Sequence, residues 1–192
     1  MGGESTVSIL VVYASRYGST RGIAEGIAAK LGEAGQTVEL RPAQAVDDLA
    51  GHDAFVIGSG VYNAHWLKEA AELVRRNRSL LAERPVWLFS SGPLGTAAAD
   101  ARGRDLRVAA EPKELAEFKE AINPRDHRVF FGALNASELE FGHRMIRKLP
   151  AARAALPGGD FRDWENIGGW AKSIAHEVAA EPTPARAPED SS

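Results

Sequence analysis

The sequence lacks several features that would assign its chemistry directly. It has no cysteine among 192 residues, which excludes disulfides, thiolate metal sites and cysteine nucleophiles. Any redox chemistry therefore has to come from a bound cofactor. No apolar run approaches the roughly 20 residues of a membrane-spanning helix. The first residues, MGGEST, lack the basic start and apolar middle of a signal peptide, and we expect a cytoplasmic protein.

An excess of charge of either sign is also lacking. The chain carries 23 Lys and Arg against 26 Asp and Glu, for a net charge of −3. This balance is typical of an ordinary soluble globular protein, and we expect no nucleic-acid partner. The sequence leaves the oligomeric state open.

Short apolar runs alternate with helical patterns along the chain. The mainly apolar runs that do not alternate with polar residues lie at Val7–Tyr13, Ala54–Gly58, Val86–Ser90 and Val129–Leu134. Continuous apolarity predicts strands that are covered on both faces, as in a parallel sheet. Thr37–Arg41 alternates instead, which predicts an edge strand. Five strands in alternation with helices predict a doubly wound α/β fold with right-handed crossovers.

Helical patterns fill the intervals between these runs. Ile23, Ile27 and Leu31 recur every fourth residue, and Gly35 is placed to end that helix. We predict three further helices, at Lys68–Leu81, Pro112–Ile122 and Trp164–Ala179. The proline-rich stretch 181–192 predicts a disordered tail.

Three loops follow strands that end at the same edge of the predicted sheet, where ligands of such folds bind. They span Ala14–Thr20, Ser59–Trp66 and Ser91–Ala97. The first runs into a helix, whose backbone N–H groups and neighbouring hydroxyls could hold a phosphate. A simple helix cap with a tight turn uses the same residue types, and both interpretations stay open.

Known nucleotide motifs narrow the choice of ligand. The chain has no G-x-x-x-x-G-K-[ST] loop and no G-x-G-x-x-G fingerprint after its first strand. A receiver domain would need an aspartate at the end of the third strand, where Gly58 and Ser59 stand. What remains is a loop for a single terminal phosphate, with two further loops to hold a ring.

This layout resembles the flavodoxin family, and SRYGSTR (residues 15–21) resembles the flavodoxin phosphate loop. The resemblance implies FMN as cofactor and a five-stranded parallel sheet in the order 2-1-3-4-5, with helices on both faces. It assigns the phosphate to Ser15, Arg16, Tyr17, Gly18, Ser19 and Thr20. The ring would lie between two later groups: Ser59, Gly60, Val61, Tyr62, Asn63 and Trp66, and Ser90, Ser91, Gly92, Pro93, Leu94 and Gly95.

Several of these side chains have two interpretations. Tyr62 or Trp66 would stack on the ring, but Trp66 could equally be a core residue. Gly60 would allow the peptide rearrangement of flavodoxins or would be an ordinary turn glycine. His65 is the candidate catalytic residue, because histidine is a common proton-transfer residue, with a surface histidine as the alternative. Arg16 is either a cation beside the phosphate or a solvated side chain.

The C-terminal part resembles the flavodoxin-type, menaquinone-dependent protoporphyrinogen oxidases. The likeness lies in RVFFGALNASELEFGHRMIRKL (128–149) and DWENIGGWAKSIAHE (163–177), with Asp163 as N-cap of the last helix. It implies one domain over 1–180 with an inserted segment at about 135–162. It also implies two-electron transfer from a porphyrinogen, or a similar small-molecule donor, through flavin N5 to a quinone or a redox protein.

The segment 141–153 carries a basic amphipathic pattern. Arg144, Arg147 and Lys148 would lie on one side of a helix, with Met145, Ile146 and Leu149 on the other. Such a helix could contact an anionic membrane surface at the inner face of the cell membrane, or pack on its own sheet. Two other functions stay open: an electron-transfer flavodoxin without its own small-molecule substrate, and an interaction protein that has lost its cofactor.

Overall fold

The computed structural model describes residues 7–94, 99, 102–103, 105–134 and 159–181. Predictions that concern Gly95, the inserted segment from 135 to 158, including 141–153, and the tail from 182 lie outside these residues. The strands are β1 (Ser8–Ala14), β2 (Thr37–Pro42), β3 (Ala54–Tyr62), β4 (His65–Trp66), β5 (Val86–Ser91), β6 (Asp126–Phe130), β7 (Ala133–Leu134) and β8 (Gly159–Asp160). The helices are α1 (Ser19–Glu33), α2 (Lys68–Arg76), α3 (Arg78–Ala82), α4 (Leu106–Ala109), α5 (Glu114–Ile122) and α6 (Trp164–Ala180), with a 3₁₀ turn at Ala43–Ala45.

The main sheet has five parallel strands in the order β2-β1-β3-β5-β6, which confirms the predicted α/β class. The predicted order 2-1-3-4-5 describes this path once the two-residue β4, which pairs antiparallel with β3, is left out of the numbering. The register places Ala14 beside Ser59, Ser59 beside Ser90, and Ser91 beside Phe130. The carboxyl ends of four parallel strands therefore meet at one edge of the sheet.

The core lies on both faces of this sheet. On one face, Leu10 and Val12 of β1 pack with residues of α2, α3 and α5. On the other, Ile9 and Val11 pack with α1 and α6. All four are fully buried, and burial of such a side chain contributes about 1.5–3 kcal/mol. Two covered faces explain why β1 is apolar without alternation.

Helix ends follow the signals in the sequence. Gly35 has φ 88° and ends α1, with its N–H donating to Gly32 O at 3.0 Å. The Asp163 carboxylate accepts from the N–H of Asn166 at 3.0 Å and caps α6. Both ends were predicted, because a left-handed glycine and an N-terminal aspartate are the residue types that these positions favour.

Two predicted elements have different bounds. The helix predicted at Lys68–Leu81 divides into α2 and α3 at Asn77, whose side-chain amide donates to Leu73 O at 2.9 Å. The strand predicted at Val129–Leu134 was also wrong in its limits. Pairing with β5 begins at Asp126 and ends at Phe130, and Ala133–Leu134 forms a separate ribbon with Gly159–Asp160.

Candidate functional site

The loop between β1 and α1 presents an uncapped helix N-terminus at the carboxyl edge of the sheet. Gly18 is the N-cap, with φ 78°, and no side chain caps the first turn. A left-handed backbone at this position favours glycine. The first N–H groups of a helix have no partner within the helix and carry partial positive charge. This end of α1 therefore suits an anion.

The hydroxyls of this loop do not all face outward, as the phosphate assignment had implied. Ser19 Oγ accepts from the N–H of Ala133 at 2.8 Å and lies 3.1 Å from Ser91 Oγ. Thr20 is 2% exposed. Ser19 thus connects the start of α1 to β5 and β7, and the buried Thr20 hydroxyl lies 3.2 Å from where a Cβ on Gly60 would stand. The partly exposed Ser15 is the hydroxyl that remains beside the α1 N-terminus.

The second predicted loop is a β-hairpin. β3 continues through Ser59 and Gly60 to Tyr62, and Tyr62 pairs with His65 across the two-residue turn Asn63-Ala64. Both turn residues have positive φ, 52° and 63°, as a type I′ turn requires. Gly60 pairs with Ser91 in the parallel ladder. A Cβ on Gly60 would lie 2.8 Å from the Tyr62 ring, which explains the glycine by close packing.

Glu114 fixes the hairpin to the start of α5. Its carboxylate bonds His65 Nδ1 at 2.7 Å and accepts from the N–H of Trp66 at 3.2 Å. Burial opposes ionisation of Glu114, but these hydrogen bonds hold its pKa below the usual value. His65 is half exposed and does not line the cavity described below, so its geometry favours the alternative of a surface histidine over the catalytic prediction.

Tyr62 lies at the centre of an aromatic and cationic group. Its ring is 6.2 Å from that of Tyr17, edge to face, and the guanidinium carbon of Arg16 lies 5.0 Å from its centroid. Burial raises the pKa of Tyr62 to about 12. The phenol is therefore neutral at physiological pH and can donate a hydrogen bond.

Trp66, Ser59 and Ser90 were predicted to contact a ring, but their side chains point into the core. Trp66 is 4% exposed, packs on Phe118 and donates its indole N–H to Ser90 Oγ at 2.8 Å. Ser59 Oγ donates to Gly60 O and accepts from the N–H of Leu67, both at 2.9 Å. The core interpretation of Trp66 is thus the one that the structure supports.

Ser90 extends this interior network to β6. Its hydroxyl lies 2.9 Å from Nε2 of His127. Burial and, to a smaller extent, the charge of Lys119 lower the pKa of His127 to about 4, while Asp126 opposes the shift. His127 is therefore neutral at pH 7, and its Nε2 can accept the hydrogen bond of Ser90.

A cavity of about 110 Å³ lies at the strand ends, among these loops. Predicted site residues line it from all three loops: Tyr17, Ser19, Val61, Tyr62, Ser91, Gly92 and Leu94. Pro93 lies beside it, and its carbonyl accepts from the N–H of Gly132 at 2.9 Å. A larger groove, of about 380 Å³, lies between α3 and α5 and is lined by Arg78 and Glu120, among others. We place the candidate site at the smaller cavity, because the strand ends and the open α1 terminus converge there.

Sequence reasoning missed a fourth wall of this cavity. Gly132, Ala133 and Leu134 line it. In the sequence they had been noted only as part of the segment 128–149 that resembles a protein family. Gly132 follows β6 at the same edge as the other loops. The rule that ligands bind beyond the carboxyl ends of parallel strands would have included it.

None of the helices in the described ranges combines the length and apolarity needed to cross a bilayer.

The comparisons with known proteins agree with this geometry. A family model described as "Flavodoxin domain" matches residues 10–154. The protoporphyrinogen IX dehydrogenase [quinone] of Escherichia coli K12 is 24% identical over 179 residues, which cover 87% of this chain and 94% of that protein. The chain therefore resembles an oxidoreductase over most of its length.

Solved structures show the same fold. Oxidised flavodoxin 2 from Bacillus cereus aligns with a TM-score of 0.58 and 19% identity, over 88% of this chain and 99% of its own. Rubredoxin:oxygen oxidoreductase from Desulfovibrio gigas aligns with a TM-score of 0.57 and 17% identity over 90% of this chain, which spans 36% of that one. Since the family model covers most of the chain and the strand order agrees, this protein belongs to the family of flavodoxin domains.

Proposed function

We propose that the protein is an FMN-dependent oxidoreductase that takes electrons from a porphyrinogen or a similar small donor and passes them to a quinone. The observation that carries the proposal is the uncapped N-terminus of α1 at Gly18, beside a cavity at the strand ends. The 24% identity to a quinone-linked protoporphyrinogen IX dehydrogenase supports the donor and the acceptor.

The described residues have the chemical groups that binding of FMN needs. The N–H groups of the first turn of α1, with Ser15, would hold the phosphate. Tyr17, Tyr62 and Leu94 supply apolar surface, and Gly92 and Gly132 leave room for a flat group. FMN, when bound, supplies reversible redox chemistry at its ring.

The size of the cavity adds a requirement. Ligand sites usually have volumes of about 300–1,000 Å³, whereas this cavity has about 110 Å³. The Tyr62 ring is folded back over Gly60, at the cavity wall. Binding of a ring therefore requires the side chain of Tyr62 to move outward.

In each turnover two electrons and two protons leave the donor, and the same number reach the quinone, which becomes a quinol. The chain's own residues contribute position and electrostatics. The α1 N-terminus compensates the charge of a phosphate, and the neutral phenol of Tyr62 can donate a hydrogen bond into the site. The hydroxyl of Ser19 holds β7, β5 and α1 together, so that the walls keep their spacing.

A titration of the purified chain with FMN and with riboflavin tests the phosphate site. We expect FMN to bind much more tightly, because riboflavin has no phosphate. Ser15→Asp places a carboxylate beside the helix start and should weaken FMN binding about tenfold or more, or 1.4 kcal/mol, with little effect on riboflavin. Ser79→Asp, at an exposed position of α3, is the matched control. Equal affinity for both compounds would reject the phosphate site.

The substrate is tested separately on the FMN-loaded protein. Porphyrin fluorescence should appear from protoporphyrinogen IX when a menaquinone analogue is present. A rate no faster than autoxidation would reject this donor and leave FMN binding intact. Reduction of a partner redox protein without turnover of any small donor would instead favour the electron-transfer flavodoxin.

A further inference from the structure

We propose that Arg16 and Arg107 form a cationic rim at the cavity, which selects an apolar donor by its carboxylate groups. The inference rests on the proposed function and names the feature of the donor that this site would recognise. Arg16 lies on the ring of Tyr62, which lines the cavity, and Arg107 lies on the ring of Phe131, the residue before the wall residue Gly132. Neither guanidinium has a carboxylate partner among the described residues.

Most of the described arginines have a carboxylate partner. Seven of them form ion pairs: Arg21, Arg41, Arg75, Arg84, Arg125, Arg128 and Arg162. The guanidinium groups of Arg16 and Arg107 instead lie over aromatic rings. Arg76 and Arg78 also lack a carboxylate partner among the described residues, but they lie on α2 and α3, whereas Arg16 and Arg107 lie near one cavity.

Arg16 borders the cavity on the side of the hairpin. Its guanidinium carbon lies 5.0 Å from the centroid of the Tyr62 ring, and Tyr62 lines the cavity. Arg16 is exposed, so its N–H groups can reach a ligand at the mouth. This placement gives the side chain a role at the rim, whereas the phosphate is left to the amides at the start of α1.

Arg107 lies beside the segment that follows β6 and contributes Gly132 to the cavity wall. Its guanidinium carbon lies 5.1 Å from the centroid of the Phe131 ring, and Phe131 directly precedes Gly132, a wall residue. Ala110, at the end of α4, contacts Gly92, another wall residue, since a Cβ on Gly92 would lie 3.1 Å from the Ala110 Cβ. Asp105 accepts from the backbone N–H of Arg107 at 2.8 Å and forms no ion pair with its guanidinium.

The two guanidinium groups and the apolar residues near them suit a ligand that has a carboxylate and an apolar body. A guanidinium stacked on a ring keeps its edge free, and that edge binds a carboxylate with two parallel hydrogen bonds. The cavity between the two arginines is lined by Tyr17, Val61, Tyr62 and Leu94, which favour an apolar surface. With FMN in the cavity, a donor with both features would contact the apolar residues at the mouth and place its carboxylates at the rim.

A porphyrin pair that differs only in this charge tests the rim. FMN-loaded protein is titrated with protoporphyrin IX and with its dimethyl ester, and binding is followed by fluorescence. We expect the wild type to bind the acid at least about tenfold more tightly than the ester. Arg16→Gln and Arg107→Gln should each weaken binding of the acid about fivefold to tenfold, leave the ester unchanged, and reduce the salt dependence.

The controls separate the rim from the cofactor site and from folding. Arg78→Gln removes a guanidinium from the separate α3–α5 groove and should change neither titration. Arg16→Lys and Arg107→Lys should restore part of the affinity for the acid, because the charge remains. The affinity for FMN should change by roughly threefold at most in the Gln variants, since exposed charges are screened.

Two results would overturn the rim: both Gln variants bind the acid as tightly as the wild type, or they weaken acid and ester equally. Failure of the proposed function has a different signature. If the wild type takes up no FMN, or does not oxidise the porphyrinogen, while acid and ester are still distinguished through Arg16 and Arg107, the rim stands and the redox assignment falls.

Discussion

At the scale of single residues, His127 makes stability depend on pH. Burial lowers its pKa to about 4, below the value of about 6.5 expected in the unfolded chain. The unfolded state therefore binds the proton first, and stability is lost as the pH falls from 6.5 towards 4. This residue alone should cost about 2 kcal/mol between pH 7 and pH 5.

His127→Gln removes this titration and keeps a side chain that can bond Ser90. Urea unfolding at pH 7 and pH 5 should show a loss about 2 kcal/mol smaller in the variant than in the wild type. His176, exposed on α6, is the matched site, and His176→Gln should leave the pH dependence unchanged. Identical pH dependence in His127→Gln and the wild type would show that the imidazole is not buried in its neutral form.

The directions of side chains at the site could not be predicted from the sequence. The three loops were found because small and polar residues follow apolar strands, and this needs no coordinates. Whether Ser90 or Ser91 faces the cavity depends on the pleat and the register, and a shift of one residue exchanges the two faces. Ser90 bonds Trp66 in the core, whereas Ser91 lines the cavity.

At the scale of elements, the sequence was misleading where polar residues belong to strands. The third strand was predicted to end at Gly58 and a loop to begin at Ser59, but β3 continues because Ser59 and Gly60 pair with Ser90 and Ser91. β6 begins with Asp126, His127 and Arg128, which are polar because this strand lies at the sheet edge. Apolar periodicity detects covered strands, and it misses strands that are partly open to water.

The hairpin turn stores strain that a substitution should release. Ala64 has φ 63°, which costs a residue with a Cβ about 1–2 kcal/mol relative to the right-handed region. Glycine avoids this cost and loses about 0.5–1 kcal/mol through the entropy of the unfolded chain. Ala64→Gly should therefore stabilise the protein by about 0.5–1 kcal/mol, measured by urea unfolding.

The opposite sign is expected for the same substitution in a helix. Ala29 is exposed in the middle of α1, and Ala29→Gly should destabilise the protein by about 1 kcal/mol. If both variants lose stability by similar amounts, the turn at Asn63-Ala64 does not have the left-handed geometry.

At the scale of the whole molecule, the candidate site depends on separate parts of the chain. Its walls come from the segments after β1, β3, β5 and β6. Ser19 bonds Ala133 across 114 positions of sequence, and Glu114 bonds His65 across 49. A ligand held by all four walls would bind the folded chain and not the unfolded one, so binding and folding are linked.

FMN should therefore raise the melting temperature, and the rise should increase with its concentration. At a hundred times the dissociation constant the stabilisation is about 2.7 kcal/mol, which corresponds to roughly 5–10 °C for a chain of this size. Differential scanning fluorimetry with FMN and riboflavin at equal concentrations measures it. Riboflavin should give a smaller shift, because it leaves the α1 N-terminus without an anion. Ser15→Asp should remove the advantage of FMN over riboflavin, and Ser79→Asp should keep it. Equal shifts with both compounds in the wild type would mean that the open end of α1 at Gly18 does not hold the phosphate.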